Sequence, residues 1–140
     1  MSEKPTNPDP VELTRRVLEP ANRRDLAATA SFYAPDAVWD MSPMGLGTYE
    51  GLAAIRGFFD DWIEAYEEFE IGPEEILDLG NGVVFAVVRQ NGRLVGSTSY
   101  VQWRYATVVV WVEGMITWNA NYPDIDEARA AAERLAEERG

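Results

Sequence analysis

Residues 69–122, FEIGPEEILDLGNGVVFAVVRQNGRLVGSTSYVQWRYATVVVWVEGMITWNANY, decide the fold, because they read as a meander of strands with turn residues at the joints. Gly72-Pro73, Asn81-Gly82, Asn91-Gly92 and Glu113-Gly114 punctuate the run, and Asn-Gly pairs favour the primed turns of tight hairpins. Val83 to Val88 is apolar on both parities, which predicts a strand covered on both faces. Leu94 to Val112 reads as one long strand. Its odd positions Trp103, Tyr105, Thr107, Val109 and Trp111 fall on one face, assigned to the interior. Its even positions, apolar apart from Arg104, suit the outer face of a sheet in a homodimer.

Upstream of the meander the spacing changes from two to 3.6. Asp9, Pro10 and Glu12 supply an N-cap, a Pro at the first helical position and an acidic first turn. Leu13, Val17, Leu18 and Ala21 then hold a helical stripe that Pro20 is expected to break, and Leu26, Ala30 and Tyr33 form a second, shorter one. Ala37 to Met41 reads as a short strand. Leu52, Ile55, Phe59, Trp62, Ile63 and Tyr66 mark the apolar face of a third helix ending at Glu67-Glu68. Asp124 to Glu138 closes the chain with a narrow stripe of Ala128, Ala131, Ala132 and Leu135. Helices followed by a strand meander give an α+β fold with helices packed on an antiparallel sheet. The expected organisation is a disordered lead-in over residues 1–8 and a single domain over residues 9–140.

Composition narrows the chemistry. Twelve Lys and Arg against 24 Asp and Glu give a formal charge of −12, a field that repels phosphate backbones and anionic lipid, so neither nucleic acid nor membrane is an expected partner. No stretch approaches the roughly 20 apolar residues of a membrane span, and a cytoplasmic location is expected. There is no Cys and no His, and the only Lys is Lys4. Thiolate, imidazole and Schiff-base chemistry are therefore excluded, leaving carboxylates, hydroxyls, amides and aromatic faces. No Gly-rich phosphate loop and no carboxylate set with ligand spacing is present, so no cofactor and no metal are expected.

The segments Phe32-Tyr33-Ala34-Pro35-Asp36-Ala37-Val38-Trp39, Tyr49-Glu50-Gly51-Leu52-Ala53-Ala54-Ile55-Arg56 and Arg104-Tyr105-Ala106 resemble the SnoaL-like branch of the nuclear transport factor two-like superfamily. Gly114-Met115-Ile116, Tyr122 and Asp126-Glu127-Ala128-Arg129 fit the same pattern. The resemblance implies a cone-shaped fold, a curved sheet wrapped around helices with an internal pocket, often in a homodimer. Its relatives span isomerases, cyclases, dehydratases, hydrolases and binders, so the fold does not choose a reaction. The ketosteroid isomerase relatives use an Asp base with a Tyr and a protonated Asp as oxyanion partners. Carried over, those positions fall at Met41, near Val17 and near Thr107, so that catalytic set is not carried over.

Candidate site residues follow from strand parity. Asp40, beside Trp39, is the one candidate general base, the alternative being a loop cap bonded to Ser42. Trp39 and Met41, on the opposite parity, would line the pocket with Trp62, Trp103, Tyr105 and Thr107. The last strand carries Thr117, Asn119 and Asn121 at alternate positions, and the two amides would orient a ligand carbonyl, nitro or hydroxyl group. Asp60, Asp61 and Glu64 read as a solvated helix face. Three functions stay open: cofactor-free isomerase, cyclase or lyase chemistry on an apolar ring-containing small molecule, in a native or redesigned pocket; binding without chemistry; and a dimerising structural domain with a filled interior.

Overall fold

The computed structural model describes residues 9–140, so the expected lead-in over residues 1–8 lies outside the described residues. In chain order the elements are α1 (Pro10–Asn22), α2 (Leu26–Ala30), β1 (Tyr33–Asp40), β2 (Thr48–Glu50), α3 (Leu52–Glu64), β3 (Tyr66–Gly80), β4 (Val83–Leu94), β5 (Tyr100–Val112), β6 (Met115–Tyr122) and α4 (Ile125–Arg139). One curved sheet holds all six strands in the order β2-β1-β6-β5-β4-β3. Every pairing is antiparallel except β1 with β6, which run parallel.

Two of the expected turns form as read. Asn81 and Gly82 (φ 57° and 83°) join β3 to β4, and Glu113 and Gly114 (φ 51° and 81°) join β5 to β6. Positive φ at both central positions is what a primed two-residue hairpin requires. Asn91-Gly92 is not a turn. It lies inside β4, where a Cβ on Gly92 would sit 2.6 Å from Cδ1 of Tyr66, so the glycine makes room for a ring crossing its backbone. The turn comes after Leu94, and β5 starts only at Tyr100. Gly72-Pro73 also stays within a strand, at a register shift of the edge strand β3, where a missing N–H costs no ladder bond on the open side.

The helical layer differs from the reading in similar ways. Asp9 caps α1 by accepting from the Val11 N–H at 3.0 Å, as expected, but α1 runs two residues beyond Pro20. Ala34-Pro35-Asp36 belongs to β1, at a register shift between Tyr33 and Val38. α3 stops at Glu64, and Tyr66, Glu67 and Glu68 open β3.

Val84, Ala86 and Val88 face inward while Val83, Phe85 and Val87 pack outward, which bears out the two-sided reading of this strand. The outward neighbour is α4. Its buried Ala128, Ala132 and Ala136 lie on Ala106, Val108 and Val110, the even positions expected to serve a dimer. Small side chains let the helix approach the sheet closely and cover that face. Arg104 and Val112, also at even positions, stay exposed.

Polar ties fix α1 and its neighbour over the inner face. The indole N–H of Trp111 donates to Thr14 Oγ1 at 2.9 Å, and Thr14 donates on to the Pro10 carbonyl at 2.8 Å. The Asn22 amide pairs with both backbone groups of Ile71, at 2.8 and 2.7 Å, and Arg24 donates to the Tyr66 carbonyl at 2.7 Å.

Candidate functional site

Because α1–α3 rest on the inner sheet face only along their apolar stripes, the space between is not filled. A cavity there has about 100 Å³ of free volume and opens to solvent through a cleft. Helical side chains Thr14, Val17, Leu18 and Ile55 form one wall. The strands supply Ala86, Val88, Gln90, Tyr105, Thr107, Val109, Asn119 and Asn121. An apolar cavity of ~150 Å³ takes up a benzene molecule, so the core here holds a small group and a larger ligand must extend into the cleft.

Six of the expected site residues line this space: Trp39, Trp62, Tyr105, Thr107, Asn119 and Asn121. Met41 and Trp103 do not. Met41 is wholly buried in the core cluster around Trp39 and Ile55, and Trp103 stands behind Trp62, with ring centroids 6.1 Å apart and planes tilted by 23°. Trp111 belongs to the core and is tied to Thr14. Thr117 leaves the inner face because the β5–β6 register shifts there: Val110 pairs with Trp118 and Trp111 with Ile116, so Thr117 is the extra residue.

Asp40 lies outside the cavity wall. Its carboxylate accepts from the Ser42 N–H and hydroxyl and from Thr48 Oγ1, so the side chain closes the loop between β1 and β2. Its slight burial pushes its pKa up, but these three hydrogen bonds outweigh that and hold it below the usual carboxylate value. An ionised loop cap, rather than a base in the pocket, is what the geometry gives.

The polar groups of the wall form two chains of neutral partners. Tyr33 donates to Asn119 Oδ1 at 3.3 Å, Asn119 Nδ2 donates to Thr107 Oγ1 at 3.4 Å, and Thr107 donates to the Ala120 carbonyl at 3.2 Å. Tyr105 donates to Gln90 Oε1, and Gln90 Nε2 donates to the Tyr66 hydroxyl, both at 3.3 Å. Burial pushes the Tyr33 and Tyr105 phenols well above their ordinary pKa, so both stay protonated. Asn121, only 4 % exposed, lines the cavity, and its side chain has no hydrogen-bond partner among the described residues. The side-chain polar atoms buried without a partner among the described residues are the indole N–H groups of Trp39 and Trp62.

Among the described residues no Asp, Glu or Lys lines the space, and the one charged side chain on its wall is Arg56, exposed on α3. Sequence reading missed Tyr33, Gln90 and Arg56. Gln90 carried a signal, as the first polar residue on the inward parity of Val84, Ala86 and Val88. Tyr33 carried none, because it was read as helical. Away from the cavity, the carboxylates of Asp60, Asp61 and Glu64 come within 4.8 Å of one another, closer than the solvated-face reading implied, and all three residues are exposed.

The sequence profile of the family described as the SnoaL-like domain matches residues 14–119. No curated protein matches the chain in sequence. Among solved structures, a nuclear transport factor two-like protein of unknown function from Burkholderia pseudomallei is 22 % identical, with a TM-score of 0.71 over 91 % of this chain and 98 % of that one. A hypothetical protein of ketosteroid isomerase-like fold from Catenulispora acidiphila, solved in complex with trimethylamine, is 16 % identical, with a TM-score of 0.70 over 91 % and 94 %. SalBIII, an epoxide hydrolase/cyclase-like enzyme of pyran ring formation in the polyether salinomycin, is 20 % identical, with a TM-score of 0.71 over 81 % and 88 %. At these identities the likeness is one of fold.

Proposed function

We propose that this chain, which belongs to the SnoaL-like domain family, binds a small, mostly apolar organic molecule through a hydrogen-bond-accepting group such as a carbonyl. The observation that carries the reading is the wall itself, apolar over most of its surface, with neutral amides and hydroxyls in its interior and, among the described residues, Arg56 as its one charged side chain. A buried N–H left without an acceptor costs about 1–3 kcal/mol. The indole N–H groups of Trp39 and Trp62 on the wall are such donors, and a ligand acceptor that reaches them offsets that cost on binding. Protonated phenols and amides polarise a carbonyl but do not take a proton from carbon. Any turnover in such a site rests on holding a reactive conformer and stabilising developing negative charge. That is the style of chemistry a ring closure needs, and the cyclase-like fold neighbour supports it as a second reading.

Titration with cyclopentanone, followed by tryptophan fluorescence and by chromatography of the recovered ketone, tests the reading. Saturable quenching with the ketone unchanged is expected. A fluorescence signal that stays linear in ketone up to its solubility limit would overturn it.

A further inference from the structure

Arg23, Arg56 and Arg134 make no ion pair among the described residues, and of these three only Arg56 borders the cavity. Arg15, Arg16, Arg89, Arg93, Arg104 and Arg129 are all in ion pairs with carboxylates. Arg24 and Arg139 donate to backbone carbonyls. Arg56 has no carboxylate within 4.0 Å among the described residues, in a chain with twice as many acidic as basic side chains, and it borders the cavity. Its helical position explains both facts. Ile55, the preceding residue, is buried in the core, and Phe59, one turn on, lines the same cavity, so the Arg56 stem follows the apolar wall while its guanidinium stays solvated.

The geometry points to a monoanionic ligand, a small organic acid whose apolar body enters the cavity and whose carboxylate meets Arg56 at the mouth. This rests on the pocket reading above and adds the head group. One guanidinium matches one carboxylate in a forked, charge-assisted pair. A phosphate dianion is disfavoured, because no second cation among the described residues lines the site and the chain's field opposes added negative charge.

The test compares cyclopentanecarboxylate with its neutral isostere cyclopentanecarboxamide by tryptophan fluorescence titration and calorimetry. Because the guanidinium is exposed, the carboxylate should bind the wild type only roughly three- to tenfold more tightly, and the margin should shrink as salt is raised. Arg56→Gln should lower carboxylate affinity to that of the amide in the same variant, and Arg56→Lys should keep part of the preference. Equal or tighter amide binding to the wild type, or a preference that survives in Arg56→Gln, overturns the inference and leaves the pocket reading standing. If neither compound binds, both fail.

Discussion

Filling the cavity should trade binding for stability, and Ala86 is the place to do it. Its Cβ points from the middle of β4 into the free space, and the residue is wholly buried between Val88 and Tyr105. Ala86→Leu adds three carbons. At about 0.8 kcal/mol per buried methylene the ceiling is about 2.4 kcal/mol. The cavity sets the same ceiling independently, since about 100 Å³ at ~24 cal/mol per Å³ is again about 2.4 kcal/mol. Fixing the leucine rotamer costs about 0.5–1 kcal/mol, leaving a net gain of about 1.5 kcal/mol. For a chain of this size that corresponds to a rise in Tm of about 3–6 °C. Urea melts should show a higher midpoint at unchanged slope, and cyclopentanone titration should show lost binding. A variant destabilised by about 1 kcal/mol or more, with ligand binding intact, would refute the reasoning, because it would mean that the space beside Ala86 is not the space the ligand uses.

Gly92→Ala should lose about 1–3 kcal/mol through overpacking against the Tyr66 ring. A double-mutant cycle with Tyr66→Ala should recover most of that, and full additivity would contradict the contact. Trp111→Phe leaves Thr14 without its indole donor and should cost about 1–3 kcal/mol in denaturant melts while leaving the fold intact. Asp40→Asn should leave ligand affinity unchanged, since the carboxylate is outside the cavity wall. The Asp40 pKa is lowered in the folded state, so its stabilising contribution is present above the unfolded-state value of about 3.9 and is lost as pH falls through the folded one. The stability gap between wild type and Asp40→Asn should therefore close in acid; a gap that widens there would contradict the loop-cap role.

The sheet was legible where period-two alternation and turn chemistry agreed, as at Val83 to Val88 and at Asn81-Gly82, because local preference and tertiary burial act in the same direction there. Asn91-Gly92 misled for a physical reason: the same glycine that permits a turn also permits a ring to cross a strand, and only the partner residue tells the two apart. The outer face of β5 read as a dimer surface because apolar parity shows that a face is covered without showing by what, and the covering element, α4, read as a narrow stripe of small residues. Within the site, Asn119, Asn121, Thr107 and Tyr105 followed from parity alone. Thr117 did not, since a single extra residue in β6 reverses parity without any mark in the sequence. Asp40 was ambiguous between base and cap, and its neighbours Ser42 and Thr48 decided it.

The central claim is that a small acceptor-bearing molecule occupies the space between α1–α3 and the inner sheet face. Indole ¹H–¹⁵N shifts test it most directly, because the five tryptophans sample different layers: Trp39 and Trp62 line the cavity, while Trp118 packs on the outer face with α4. On titration with cyclopentanone the Trp39 and Trp62 signals should move saturably with one affinity and the Trp118 signal should stay fixed, with all movement lost in Ala86→Leu. Shifts at Trp118 as large as those at Trp39, or saturable shifts that persist in Ala86→Leu, would contradict it.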